Sequence, residues 1–447
     1  MSAQVSFKRS EQLFEEAKKV IPGGVNSEIR GPAWGVNPGE FPLFITKGKG
    51  SKIYDVDGNE FIDYVCAYGP IILGHAHPAV DNAVKEQIDK GILFGLSIEL
   101  EIELAKLIIK HVPCAEMVRI ATTGSDVTTA AVRVARLYTG KEKIAVMDEM
   151  YHGTHDWCQV GVAGGTEINY YKTLITWGVP ANVLDNIIIL PWNKIEVIEK
   201  IIKRYHNELA AIIAEPIVPF VPPVDDFWKA VKELTERYDI LLIFDEVKTG
   251  FRLGLGGAQE KFGVFPDLAT FAKAMANGYP VSAIAGRKDI MELIGKYETR
   301  LAGTYNANGI GCAAGVATIK ELEKPGTFEN LYKIGEKLQK GIKDAIADTG
   351  VKAVVQGPEP GPFVVLFTEL EEVRYFADLK KVDRVKGQVF ARELAKRGIW
   401  HHPNYIWYLT TSHTEEDVEK TIQAVYEALK VVKKAEGAAV TEIVTGL

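Results

Sequence analysis

The sequence predicts an α/β fold: a doubly wound, mostly parallel sheet followed by an α+β lobe. Three observations carry that expectation. Short, wholly apolar runs recur between residues 115 and 290, among them Ile187-Ile-Ile-Leu190, Ala210-Ala-Ile-Ile-Ala214 and Ile240-Leu-Leu-Ile-Phe244. Runs of that length read as strands buried on both faces of a parallel sheet. Stretches of helical period separate them, at 127–138, 194–206 and 226–238, and such alternation marks βαβ units. After about Leu322 the pattern changes. Helical stretches at 329–346 and 383–397 surround one strand, Phe363-Val-Val-Leu-Phe367, and a last helix runs from Glu415 to about Lys434.

At 447 residues the chain is long for one domain, so two or three lobes are expected. Its 47% hydrophobic and 25% charged residues are those of a soluble globular protein. The net charge of -7, with no basic stripe, argues against a nucleic-acid partner. Cys66, Cys114, Cys158 and Cys312 are widely spread and form no CxxC pair, which argues against a zinc site or a disulfide framework. The first residues contain no apolar signal core, and no apolar run approaches a membrane span. A cytoplasmic protein is the expectation.

In chain order, residues 6–20 have helical spacing, and Ile21-Pro-Gly-Gly24 stops that helix. The next stretch has no period and carries Arg30. Phe41 to Tyr64 reads as a small antiparallel meander: Leu43-Phe-Ile-Thr46, Lys52-Ile-Tyr-Asp55 and Glu60-Phe-Ile-Asp63, with a turn at Asp57-Gly58. Tyr68-Gly-Pro70 and Leu73 to Pro78 are loop. His75 and His77 could ligate a metal, but no third ligand lies nearby in sequence, so a structural loop is expected. Residues 79–112 read as two helices.

Thr122-Thr-Gly124-Ser125-Asp126 precedes a helix. It suits a phosphate cradle, with free backbone N–H groups and a hydroxyl at a positive helix end. It equally suits a plain N-cap. The strand Lys143 to Met147 ends near Tyr151-His152-Gly153; an aromatic there can stack on a planar cofactor or belong to the core. Residues 160–185 are Gly-rich without a period and read as a mobile loop over a site. Ala210 to Ala214 ends in Glu215. Ala283 to Gly286 is a further strand, Gly303 to Asn308 precedes a small-residue helix, and Ala438 to Leu447 reads as a frayed end.

The chemistry gathers between Ile240 and Pro280. One apolar run ends in Asp245 and Glu246, and Lys273 lies in a small, apolar segment closed by Asn277-Gly-Tyr-Pro280. Ligands of open α/β sheets sit outside the carboxyl ends of the strands, which is where Asp245 falls. A lysine with few polar neighbours has a lowered pKa, as a Schiff-base lysine needs. A lysine with a carboxylate is the pairing that pyridoxal phosphate requires. The plainer alternative is that Asp245 caps a turn and Lys273 lies at the surface.

These residues sit inside longer signatures: Phe244-Asp-Glu-Val-Lys-Thr-Gly-Phe-Arg252, Ala272-Lys-Ala-Met-Ala-Asn-Gly-Tyr-Pro280, Asp148 to Gly153, and Asp55-Val-Asp-Gly58. With them the chain resembles the class III, fold-type I pyridoxal phosphate aminotransferases over nearly its whole length. Pro22-Gly-Gly-Val-Asn-Ser27, Gly74-His-Ala-His-Pro78 and Ser412-His-Thr-Glu-Glu-Asp417 bring it nearest the glutamate-1-semialdehyde aminomutase subgroup. The resemblance implies a large cofactor domain over 76–322, with a smaller α+β domain built from both chain ends, 1–75 and 323–447. It also implies roles. Lys273 would hold pyridoxal phosphate and shuttle the proton, and Asp245 would pair with the ring nitrogen. Val247 and Tyr151 would cover the two ring faces, with His152 and Glu215 close to the cofactor. Gly124 and Ser125 would bind the phosphate, with Thr304 supplied by a second subunit, hence a homodimer. Arg30 would receive a substrate carboxylate, with Tyr68 and Tyr405 beside the substrate.

The chain departs from the subgroup at the substrate end. Tyr68 stands where the aminomutase has tryptophan, and Tyr405, in the aromatic stretch His401 to Tyr408, where it has glutamate. The phosphate loop has Asp126 in place of glutamate. An aromatic wall suits an apolar substrate portion. The expected activity is therefore an aminotransferase moving an amino group from an amine or amino acid to a keto acid, by a ping-pong route. The alternatives are a 2,1-aminomutase, a racemase or epimerase, and a binding protein on an inactive fold.

Overall fold

The apolar runs at the centre of the chain become one seven-stranded sheet. The computed structural model describes residues 5–165, 170–295, 299 and 301–434. They fall into two compact units. One comprises the chain up to His77, Gly326–Val373 and the chain from Asp378; the other comprises Pro78–Pro325 with Arg374–Ala377.

In the second unit the strands are β1 (Met117–Ala121), β2 (Lys143–Met147), β3 (Ile187–Leu190), β4 (Leu209–Ala214), β5 (Leu241–Asp245), β6 (Leu268–Phe271) and β7 (Ser282–Gly286). Their spatial order is β1-β7-β6-β5-β4-β2-β3. The pairs from β6 to β3 are parallel, and β7 runs antiparallel to both its neighbours. β3, β4 and β5 are buried at every position, which is why their sequences are apolar runs with no alternation. Helix α1 (Gly124–Thr139) covers the sheet with a face of small residues. Val127, Ala130, Ala131 and Val134 share one core with Ile144, Val146, Ile213 and Ile243. The helix starts with a capping box: the Thr123 side chain accepts from the Asp126 amide, and Asp126 accepts in return from the Thr123 amide.

The loop expected over 160–185 is instead partly an antiparallel ribbon, Val160–Gly165 with Tyr170–Leu174. A short 3₁₀ segment, Ala181–Asn186, follows it. Gly161, Gly164 and Gly165 bring no side chain to alternate, so the ribbon leaves little period in the sequence. Residues 166–169 of that stretch, and the expected frayed end at 438–447, lie outside the described residues.

In the first unit the meander forms, with Ile45–Lys49, Lys52–Asp55 and Glu60–Asp63 antiparallel. The first strand starts two residues later than expected, and a bulge between Ile45 and Lys47 shifts its register. Asp55 Oδ1 accepts from the amides of Asp57 and Asn59, which closes the Asp-Gly turn. Ile399–Trp400 adds a parallel strand beside Glu60–Asp63. Helices Thr327–Thr349, Arg384–Ala395 and Glu415–Lys434 complete the unit. Its core includes Phe7, Phe41, Ile53, Phe61 and Trp400. His75 pairs with buried Asp63 at 2.8 Å, a structural contact. Among the described residues no group of three or more His, Cys, Asp and Glu could hold a metal. None of their helices is long and apolar enough to cross a membrane.

Candidate active site

Five chain segments leave the carboxyl ends of β1, β2, β4, β5 and β6, and each carries a residue singled out from the sequence. β1 leads to Gly124 and Ser125, β2 to Tyr151 and His152, β4 to Glu215, β5 to Asp245 and Val247, and β6 to Lys273. That is the edge at which open α/β sheets take ligands.

Asp245 is buried at the end of β5. Its Oδ2 accepts from His152 Nδ1 at 2.7 Å. Its Oδ1 accepts from the Thr270 hydroxyl at 3.0 Å and the Val247 amide at 3.2 Å. The last bond is the turn cap that the plainer reading of Asp245 foresaw. Burial by itself would raise this carboxyl; the His152 hydrogen bond and charge, with the Val247 and Thr270 donors, reverse that and leave it below its ordinary value. A negative charge is thus held inside the sheet unit. His152 Nε2 is buried without a partner among the described residues. Nearby Asp148 lacks a partner at Oδ1; burial first, then the Glu149 charge, push it up to about 6.

Lys273 opens a single 3₁₀ turn, Lys273–Ala276, directly after β6. Its φ is 48°, in the left-handed region that residues other than glycine seldom adopt and that clusters at functional sites. Its amine is pulled down to about 8, by burial first and then by the Lys248 charge, against the pull of Glu215 and Asp245. Glu215 links two strand ends: Oε1 accepts from the Tyr151 amide at 3.2 Å, and Oε2 pairs with Lys248.

At the start of α1, Ser125 Oγ accepts from the Thr154 amide at 3.2 Å. Gly153 has φ of 110°, and a Cβ there would lie 2.4 Å from Ser125 Oγ, so the close approach of these loops requires glycine. A Cβ on Gly124 would meet the Val247 methyls at 3.4 Å. The helix start and the residue after Asp245 therefore face one another. Tyr151 is 61% exposed. Thr304 stands apart from this group, in the exposed turn after Gly303. It lines a cavity of about 630 Å³ with Ile92 to Ile98, Arg119 and Asn306.

The residues expected beside the substrate, Arg30, Tyr68 and Tyr405, lie in the other unit. Cys66, Ala67 and Tyr68 have φ of 47°, 55° and 69°, a left-handed turn completed by Gly69. Each such non-glycine residue costs about 1–2 kcal/mol. Asp63 Oδ1 accepts from the Val65 and Cys66 amides, and charge-assisted bonds of that kind return about 1.5–3 kcal/mol each. The turn presents Tyr68, whose hydroxyl donates to the Ile29 carbonyl at 3.0 Å. His402 Nε2 meets the same carbonyl at 2.8 Å. The Tyr68 ring packs edge-on against Tyr405 at 5.7 Å and His402 at 5.8 Å. Arg30 is exposed at the end of a short 3₁₀ turn, and its charge acts on the Tyr68 hydroxyl.

Sequence reasoning gave no part to Thr270, Lys248, His402 or the Cys66–Gly69 turn. Lys248 left a signal, a cation close behind the carboxylates Asp245 and Glu246 in the Phe244–Arg252 signature. Thr270 lies inside a buried strand, and its hydroxyl matters only because β6 runs beside β5 in register with Asp245. A left-handed turn in Cys-Ala-Tyr has no composition cue.

The donor set suits pyridoxal phosphate: an amine poised near neutrality, a buried carboxylate kept ionised, and a helix start with a hydroxyl. Fold and strand-end residues together define a fold-type I pyridoxal phosphate enzyme. The chain belongs to the class-III aminotransferases, whose family model, Aminotransferase class-III, matches residues 34–436. It is 42% identical over 431 residues to the glutamate-1-semialdehyde 2,1-aminomutase of Ignicoccus hospitalis, covering 95% of this chain and 99% of that one. It superposes on an omega-transaminase from Sphaerobacter thermophilus with a TM-score of 0.87 and 30% identity, covering 94% and 97% of the two chains. A transaminase solved with PLP bound gives 0.86 at 26% identity, covering 97% and 99%.

Proposed function

We propose that this protein uses pyridoxal phosphate to move an amino group between adjacent carbons of one substrate, as a 2,1-aminomutase of the glutamate-1-semialdehyde type. The observation that carries this reading is the similarity to such an aminomutase at 42% identity along almost the full length of both chains. It reverses the order of preference drawn from the sequence, where transfer to a separate keto acid came first. That second reading keeps one specific observation in its favour, the aromatic group of Tyr68, Tyr405 and His402.

Either way the chain's residues act alike. Pyridoxal phosphate, when bound, supplies an electron sink for the carbon that carries the amino group. Lys273 would hold the cofactor through its free amine, and the same amine would take and return the proton on the substrate carbon. Asp245, kept ionised and oriented by His152 and Thr270, would pair with the ring nitrogen and favour its protonated form. Gly124, Ser125 and the α1 amides receive the phosphate. Tyr151 and Val247 would cover the ring faces, and Glu215 fixes the Tyr151 backbone. Arg30, Tyr68 and Tyr405 receive the substrate. A second copy of the chain supplies Thr304. Exposed Ile92, Leu93, Phe94 and Leu96, beside the Thr304 cavity, support that dimer.

The experiment supplies glutamate-1-semialdehyde alone and follows the isomer with its amino group on the neighbouring carbon. Its formation without any keto acid supports the aminomutase. No isomer, with steady turnover of an amine only when a keto acid is added, selects the aminotransferase.

A further inference from the structure

Arg30, the residue expected to receive a substrate carboxylate, ends a turn with little packing of its own. The turn is a single 3₁₀ segment, Glu28–Arg30, with no buried residue. Inside it the Arg30 amide donates to the Ser27 carbonyl at 2.9 Å, and the Gly31 amide to the Glu28 carbonyl at 3.1 Å. Bonds of that kind are poorly aligned and fix the shape of a turn more than its place. Its place is fixed at the Ile29 carbonyl, one residue before Arg30. That oxygen accepts from the Tyr68 hydroxyl at 3.0 Å and lies 2.8 Å from His402 Nε2. A carbonyl oxygen has two lone pairs, so donors from two distant parts of the chain fill both.

His402 is the firmer of the two, for its side chain is fully buried. Its ring meets those of Tyr405 at 5.2 Å and Tyr68 at 5.8 Å. Burial pushes its pKa below the ordinary histidine value, so the ring is neutral and carries one hydrogen. Nδ1 lies 3.0 Å from the carbonyl of Pro403, its own neighbour in sequence. The shorter contact, to Ile29, takes the hydrogen.

We propose that His402 is a positioning residue for Arg30: its Nε2–H, together with the Tyr68 hydroxyl, pins the Ile29 carbonyl and so sets where the Arg30 guanidinium meets a substrate carboxylate. The fork of an arginine pairs with a carboxylate through two parallel bonds and needs a fixed approach. The Tyr68 hydroxyl, its one hydrogen spent on Ile29, offers the substrate its ring and no donor.

His402 has this part only if Arg30 receives the carboxylate, as proposed above, so the test reads the two separately. In the full-length holoenzyme without substrate, hydrogen exchange at the Arg30 and Gly31 amides reports how firmly the turn is held. His402→Phe keeps a buried ring and removes the donor; it speeds that exchange roughly fivefold to tenfold, as loss of one hydrogen bond does. His402→Gln, whose side-chain amide can donate from the same place, stays near the wild-type rate. With glutamate-1-semialdehyde, His402→Phe raises KM roughly tenfold and leaves kcat within about twofold. Arg30→Ala raises KM at least as far. In the double variant KM equals that of Arg30→Ala alone, because no guanidinium is left to position. Unchanged exchange in His402→Phe, exchange in His402→Gln as fast as in His402→Phe, a fall in kcat at unchanged KM, or KM effects that multiply in the double variant each overturn the part given to His402. If Arg30→Ala leaves KM unchanged while His402→Phe still speeds exchange, it is the carboxylate reading of Arg30 that fails. If the wild-type protein leaves glutamate-1-semialdehyde untouched, the aminomutase reading fails, and the exchange rates alone decide whether His402 places Arg30.

Discussion

The side chains around Lys273 and Asp245 are charged or ionisable, whereas those around Tyr68 are rings that meet one another and a backbone carbonyl. In the sheet unit, Asp245 pairs with His152 and Glu215 with Lys248, and burial and charge set the Asp245 carboxyl and the Lys273 amine. In the other unit, Tyr68, Tyr405 and His402 are placed by packing and by the Ile29 carbonyl. The first group has the means to hold and move protons. The second has shape and apolar area, which select a substrate but do not transform it. Cofactor chemistry and substrate choice can therefore diverge separately. Such a division leaves room for a chain 42% identical to an aminomutase to differ from it at the aromatic group alone.

The comparison breaks most sharply at Lys273. Lys273→Ala should lower turnover by roughly a thousandfold or more, the scale of positioned acid–base catalysis, while the protein keeps its melting temperature. Near-normal turnover would remove Lys273 from the chemistry. Asp245→Asn comes next, with an expected loss on the order of 10²–10³ in kcat from the missing charge. It should also lose stability by about 3 kcal/mol, because His152 is left buried against a neutral partner; chemical denaturation measures that term.

Substitutions in the aromatic group should act differently. Tyr68→Trp together with Tyr405→Glu should change kcat/KM between substrates by roughly tenfold to a hundredfold, and leave the cofactor spectrum untouched. A changed spectrum would show that the two groups are not independent. The smallest effect is on stability. The Asp148 carboxyl is raised to about 6, so the folded state holds its proton more tightly than the unfolded chain does. Its contribution is favourable below the ordinary value of 3.8 and is lost as pH rises through about 6. Asp148→Asn should therefore melt higher than wild type at pH 7, by about 1 kcal/mol after allowing for partial exposure. The difference should vanish below pH of about 4. Asp245 has the opposite sign: its depressed carboxyl stabilises the fold above its unfolded value and loses that effect as pH falls through the folded one.

Much of the sheet unit was legible because burial on both faces leaves continuous apolar runs, and because Asp245 and Glu215 end two of them. Lys273 was legible as a charge in a small-residue segment. The bonds from His152 and Thr270 to Asp245 were not, since they join segments 93 and 25 residues away and depend on strand order. The ribbon at Val160–Leu174 was hidden by its glycines. The left-handed turn at Tyr68 was hidden because it is held by Asp63, three residues before Cys66, whose carboxylate accepts from the Val65 and Cys66 amides.

The most direct test of the central claim is borohydride reduction of the purified, cofactor-loaded protein, followed by peptide mapping. The account predicts one pyridoxyl-labelled site, Lys273, with Lys248 unlabelled. Label on Lys248 or another lysine, or a protein that takes up no pyridoxal phosphate, would contradict it.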